Sequence, residues 1–231
     1  MILAIDSTTK KASVALMVSN DKVCSRSISN EITHSEKLLP LIDELLKENN
    51  VNLKDIDLLA TTLGPGSFTG VRIGIATVKA LAKVLNVDII GATSLKLLAL
   101  EKLDDVADKK YILATMDAKN NRIYYELFEV QSNNGSAVLK ETNIQGNLPY
   151  ELVISLLKEQ SIDNILVVSD NIEMLLNPFT EAFNNVSVIY SELNLENIFK
   201  DIDSNKKYNY DNLDAMYFRS SEAERTKSGE K

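Results

Sequence analysis

Ile2-Leu3-Ala4-Ile5-Asp6-Ser7-Thr8-Thr9 sets four apolar residues against an aspartate and a run of hydroxyls. An uninterrupted apolar run ending in turn-forming residues reads as a short buried strand. The pattern returns at Ile112-Leu113-Ala114-Thr115-Met116-Asp117, one residue longer. A polar turn, Ala118-Lys119-Asn120-Asn121, and a strand from Ile123 to Val130 follow this second copy. Two copies of strand, Asp, turn and strand in one chain point to a duplicated α/β architecture.

Outward from the first copy, Ser13 to Val18 and Lys22 to Ile28 read as an antiparallel meander joined by the turn Ser19-Asn20-Asp21. Thr33 has Glu36 three residues on, the spacing of a capping box, and a helix is predicted over 33–47. Pro40 falls early in it, where a missing N–H does least damage. Ile56 to Leu63 reads as a buried strand and Gly64 to Gly70 as a loop. A helix from Val71 to Leu85, a strand from Val87 to Ile90 and a helix capped by Ser94 and running to Leu103 follow. The polar run 104–110 places a boundary near 105, giving an N-terminal lobe over 1–105 and a smaller C-terminal lobe over 106–231. In that second lobe Ile165 to Val168 and Val186 to Ile189 read as strands. The stretch Asn205–Asn212 reads as a loop before a last segment, Leu213 to Glu224.

Composition narrows the function classes. The net charge of −8 divides into −1 over 1–105 and −7 over 106–231, and neither half clusters Lys or Arg. A surface that tracks phosphates needs such a cluster, so this chain is not expected to be the main handle for a nucleic acid. Trp is absent, which leaves little material for stacking on bases. Cys24 is the only cysteine, so no internal disulfide forms, and a reducing cytoplasm fits. No basic leader with an apolar core precedes Ile2–Ile5, and no apolar run approaches the ~20 residues of a membrane span. A soluble cytoplasmic protein without membrane attachment is the expectation.

Few residues could carry chemistry. In Asp6-Ser7-Thr8 a strand-end carboxylate and two hydroxyls could hold a metal-bound water and meet a phosphate. The alternative is a strand ending in an Asx or hydroxyl turn. Asp117 occupies the matching position, but the turn after it has no glycine to let a phosphate approach the backbone. In Gly64-Pro65-Gly66-Ser67-Phe68-Thr69-Gly70-Val71-Arg72-Ile73-Gly74 the lysine of a phosphate-binding Walker loop is missing. Ser67 lacks the flanking glycines of a nucleophile elbow. Gly66, Gly70 and Gly74 recur every fourth residue, and glycine costs about 1 kcal/mol per helical site relative to alanine. Their spacing implies that some backbone comes very close, from within the chain or from a partner. His34 is the only histidine, so a catalytic triad would have to use it. With one His and one Cys, no conventional metal site is expected. On the helix over 33–47, Leu38, Leu41, Ile42 and Leu45 form a stripe that Leu39 and Leu46 widen. A helix lying on a sheet needs one stripe; a wider arc means deep burial or a partner surface.

The run Gly64–Gly74, continued by Ile75-Ala76-Thr77-Val78-Lys79-Ala80-Leu81-Ala82, resembles the signature of the TsaB (YeaZ) family. Ile5-Asp6-Ser7-Thr8, Thr33-His34-Ser35 and Met116-Asp117-Ala118 are similar too. So are Tyr217-Phe218-Arg219 and Ser221-Glu222-Ala223-Glu224. The matches cover most of 1–130 and the C-terminal segment, whereas 131–205 match in length alone.

That resemblance implies an actin-like, sugar-kinase-like (ribonuclease H-like) duplicated fold of two lobes, the second reduced. It implies a non-catalytic subunit that binds a TsaD-type catalytic paralogue, which binds metal and transfers a threonylcarbamoyl group to the adenosine next to the anticodon of tRNA. A TsaE-type ATPase joins in bacteria. The chain would then need no cofactor of its own, ATP and metal being used by the partner subunits. It would meet tRNA only through the complex and form a homodimer when alone. The family's first two helices form its dimer surface, which here implies Leu38, Leu41, Ile42, Leu45, Gly66, Gly70, Gly74 and Thr77. TsaD-type chains carry paired histidines for their metal, and this chain has a single histidine. Two alternatives remain beside this reading. One is an ATP-dependent phosphotransferase of the same fold using Asp6, Ser7 and Thr8; the other is a glycoprotease-like peptidase relying on Ser67 or His34.

Overall fold

The computed structural model describes residues 1–29, 34–106, 108–133, 135–200, 202, 206–216 and 218, with the backbone alone at His34, Ser35 and Asp105. In chain order the elements are β1 (Ile2–Asp6), β2 (Lys11–Ser19), β3 (Lys22–Ser29), α1 (His34–Glu48), β4 (Leu58–Thr62), α2 (Phe68–Leu85), β5 (Asp88–Ala92) and α3 (Ser94–Glu101). Then come β6 (Tyr111–Asp117), β7 (Arg122–Asn133), β8 (Ser136–Pro149), α4 (Tyr150–Glu159), β9 (Asn164–Ser169), α5 (Leu176–Ala182), β10 (Asn185–Tyr190) and β11 (Lys206–Tyr208). The residues over 30–33 and 219–231 lie outside the described set, so neither the Thr33 cap nor most of the similar tail is placed.

Two sheets form, and the echoed apolar runs supply a central strand to each. The first has the order β11-β5-β4-β1-β2-β3 and the second β10-β9-β6-β7-β8. β1 pairs antiparallel with β2 and parallel with β4, with Ile5 opposite Val14 and Thr61. β6 pairs antiparallel with β7 and parallel with β9 in the same way. Apart from β11, the strand orders correspond one for one, and a helix precedes and follows β4 just as one precedes and follows β9. The duplication is real at the level of topology. In the second copy the later helix has shrunk from the 18 residues of α2 to the 7 of α5.

The chain divides differently from the expected 1–105 and 106–231. One unit comprises Met1–Ser94 with Leu195–Tyr217, the other Leu95–Asn194 with Phe218–Lys231. The segment expected to be a loop around 205–212 includes β11, which pairs antiparallel with β5 through Lys206 opposite Gly91 and returns the chain to its first sheet. Three residues with two lysines carry no strand pattern of their own; the open edge of β5 imposes it. β8 was not foreseen either. Its residues are mostly exposed or half-buried, and opposite Leu127 the register shifts, with extra β8 residues between Glu141 and Gln145 that break the alternation that would announce it.

In the first unit one sheet face packs Leu3, Ile5, Val14, Leu16, Leu59 and Ile89 beneath α1 and α2. Leu38, Leu41, Ile42 and Leu45 all belong to this core, none more than 7% exposed. That corrects their assignment to a partner surface: the stripe faces the sheet of its own chain. Fully burying a Leu or Ile side chain stabilises by about 1.5–3 kcal/mol, so the fold cannot give these residues to another protein. Of the two residues that widen the stripe, Leu46 is buried and Leu39 is 56% exposed. Among the described residues no helix is long and apolar enough to cross a membrane.

Candidate functional site

β1 delivers Asp6 to the end of the first sheet, and the turn that follows closes on itself. Asp6 Oδ1 accepts from Thr8 N at 3.1 Å, from Thr8 Oγ1 at 2.7 Å and from the hydroxyl of Thr62 at the end of β4. Thr8 Oγ1 also lies 3.3 Å from Ser94 Oγ. Ser7 Oγ donates to the Gly70 carbonyl at 2.8 Å, and Ser67 N donates to the Thr8 carbonyl at 2.7 Å. Asp6, Ser7 and Thr8 are each no more than 2% exposed.

The glycines explain how α2 comes so close. A Cβ on Gly66 would overlap the carbonyl oxygen of Thr8, one on Gly70 that of Ser7, and one on Gly74 would stand 2.9 Å from Ser7 Oγ. The spacing of four therefore serves an approach inside the chain, which corrects the placing of Gly66, Gly70 and Gly74 in a partner interface. α2 starts at Phe68, three residues before the predicted Val71, because Ser67 caps it and accepts from Gly70 N at 3.3 Å. At Asp6, Ser7 and Thr8 both hydroxyls bond within the chain, and the backbone at Gly66 and Gly70 packs against the Thr8 and Ser7 carbonyls. The geometry matches the Asx-turn alternative.

The second copy is built otherwise. Asp117 pairs with Lys119, Nζ to Oδ2 at 2.9 Å, and also accepts from Lys119 N at 2.7 Å. Burial acts against the Asp117 carboxylate, but these bonds outweigh it and hold its pKa below the ordinary value, while Asp117 raises that of Lys119. Asp117 N donates to Asp170 Oδ1 at 2.9 Å. Asp170 as a residue reaches solvent, yet protein hems its carboxyl in, and this desolvation, with the Asp117 charge adding to it, pushes its pKa up. A carboxyl whose folded pKa is raised weakens the fold when ionised, and stability returns as pH falls through that pKa. Asp170→Asn should therefore raise the thermal midpoint at neutral pH and leave it unchanged once the pH is low enough to protonate Asp170.

Lys119, Asn120 and Asn121 all take left-handed backbone, with φ of +63°, +54° and +58°. Asn tolerates this conformation better than most residues, and Gly does so without cost. Asn120→Ala should destabilise the protein by about 1 kcal/mol in urea denaturation, since alanine pays more than asparagine for this backbone; an unchanged stability would show that the turn does not hold this conformation.

Among the described residues no group of three His, Cys, Asp or Glu is placed to hold a metal ion. The side chain of His34 lies outside the described set. Cys24 sits half-buried on the edge strand β3, where its Sγ donates to Asn49 Oδ1 at 3.1 Å.

What the first unit leaves open is the outer side of its two long helices. On α2, Phe68 (41% exposed), Arg72, Ala76, Ala80 and Val84 (79%) face solvent, with the Arg72 guanidinium 3.8 Å above the Phe68 ring. Thr77 is half-exposed and donates to the Ile73 carbonyl at 2.9 Å. On α1, Leu39 faces outward. Leu39 was legible as the residue lying off the main stripe; Phe68 and Val84 were not, because their direction depends on where α2 begins.

Known proteins share both sequence and fold with this chain. A family model described as TsaD, tRNA N6-adenosine threonylcarbamoyltransferase, matches residues 23–174. A TsaB protein of Haemophilus influenzae, named for tRNA threonylcarbamoyladenosine biosynthesis, is 33% identical over 54% of this chain and 52% of its own length. The TsaB protein of Escherichia coli is 34% identical over 57% of this chain and 56% of its own. The chain thus spans about half the length of the curated relatives it matches. A solved Pseudomonas aeruginosa structure described as similar to peptidase YEAZ superposes with a TM-score of 0.74 at 24% identity, over 94% of this chain and 99% of that one. With that model matching more than half of its residues, the chain belongs to the TsaD-type family, and within it is similar to the TsaB and YeaZ proteins.

Proposed function

We propose that this chain is a subunit of the tRNA threonylcarbamoyladenosine biosynthesis system and acts without chemistry of its own, by docking a TsaD-type catalytic paralogue. The observation that carries the proposal is the outer face of α2, which keeps Phe68, Ala76, Ala80 and Val84 in solvent while its inner face is spent on the core. Small residues at Ala76 and Ala80 let a second helix approach closely, and Phe68 with Arg72 supplies an anchor of the kind enriched in interfaces. The same face would serve a homodimer when the partner is absent. ATP and metal belong to the partner subunits in this reading, a TsaE-type ATPase among them, and tRNA is met through the complex. A cytoplasmic setting suits the single cysteine.

The test is tRNA modification reconstituted with and without this chain, all other components constant. Modification should appear only with it; undiminished modification in its absence ends the proposal. Ala80→Glu should weaken the heterodimer by about tenfold or more, because a buried unpaired charge is costly. As a surface change it should leave the thermal midpoint unmoved. The phosphotransferase alternative makes a different forecast, micromolar binding of Mg-ATP to the isolated chain that Asp6→Ala abolishes.

A further inference from the structure

The duplication supplies an internal comparison. After Asp117 the strand-end turn faces solvent with a lysine ammonium, whereas after Asp6 the same turn holds a helix. Ser7 Oγ donates to the Gly70 carbonyl in the first turn of α2, and Gly74 leaves just enough room for that hydroxyl. On the other side of the turn the Thr8 carbonyl takes the N–H of the N-cap residue, Ser67. These two bonds, from adjacent residues of one tight turn, fix α2 both along its axis and about it. Phe68 and Arg72, the exposed pair, sit within the turn so held.

We propose that Ser7 is a positioning residue for partner docking. Its hydroxyl occupies the place where a turn of this kind would greet a ligand oxygen and grips a helix carbonyl instead, setting the angle at which α2 presents Phe68, Arg72, Ala76 and Ala80. The proposal rests on the docking role given to α2 above. Close packing transmits the loss of one buried contact as a shift of its neighbours rather than absorbing it, so the outer face moves with the turn.

Ser7→Ala in the full chain tests this, with Val167→Ala as the comparison. Val167 is fully buried in the second unit's core, and its truncation destabilises without touching α2. Affinity for the TsaD-type protein and amide hydrogen exchange over residues 70–74 are measured on both. Loss of one hydrogen bond should cost Ser7→Ala about tenfold in affinity and speed exchange in that turn by a similar factor. Val167→Ala should change neither, beyond what its lower midpoint spreads evenly over the chain. Equal exchange and equal affinity in the two variants overturn the proposal, as does Mg-ATP binding to the wild type that Ser7→Ala removes. If the wild type ignores the TsaD-type protein, the docking reading fails by itself, and the exchange measurement still judges the latch.

Discussion

Gly70→Ala should lower the thermal midpoint more than alanine at any other glycine among the described residues. The new Cβ would overlap the carbonyl oxygen of Ser7, a backbone atom in a turn already fixed by Asp6, Thr62 and Ser67. A flexible side chain could swing aside; this oxygen cannot without dismantling the turn. Overpacking of a well-filled site costs about 1–3 kcal/mol, and a rigid backbone neighbour places this case at the upper end or above. At roughly 2–4 °C per kcal/mol for a chain of this size, a fall of about 6–12 °C or more follows. Gly135→Ala provides the contrast. Nothing lies within 4 Å of its added Cβ, so only the strain of φ +85° is felt, about 1–2 kcal/mol. Differential scanning calorimetry of both variants decides the matter. A Gly70→Ala midpoint equal to or above that of Gly135→Ala would mean that the helix does not sit as closely on the turn as described.

Leu45→Ala should cost about 2–5 kcal/mol in urea denaturation, the range for a large-to-small change in a packed core. Leu45 is 1% exposed among Leu16, Leu38 and Leu41 under the sheet. Leu39, six residues earlier on the same helix and 56% exposed, should accept Asp within about 0.5 kcal/mol. The pair separates two kinds of role for α1. Were Leu45→Asp to leave a folded monomer that merely lost its partner, the inner stripe would be an interface after all. The structure requires the opposite, loss of the fold with Leu45 and loss of at most the partner with Leu39.

These two residues also show how far the sequence could be read. Periodicity established that α1 buries a stripe, because apolar side chains three and four apart share a face. It could not say what covers that face, since a sheet of the same chain and a helix of another protein leave the same pattern. The glycines behaved alike. Their spacing demanded a close backbone, but the backbone belongs to Ser7 and Thr8, 63 and 58 residues away from Gly70 and Gly66, and no local signal names so distant a neighbour. The echo of Ile2–Asp6 in Ile112–Asp117 was legible because fully buried central strands read as unbroken apolar runs. β8 and β11 were illegible for the converse reason: they lie at or near sheet edges, and pairing rather than composition makes them strands. Likewise Thr62 and Ser94, which complete the bonding around Asp6 and Thr8, come from the ends of other elements; Thr62 announces nothing in sequence, and Ser94 reads there only as a helix cap.

The return of Leu195–Tyr217 to the first unit has a consequence for biosynthesis. All five strands of the second sheet emerge from the ribosome before β11 does. The nascent second unit can thus complete its hydrogen-bond ladder while Ile89, Ile90 and Gly91 still present an open edge. Unpaired apolar edges on a half-made domain are where chains adhere to one another. The lysines of β11 follow the second sheet and seal that edge, so the first sheet closes only after the second can.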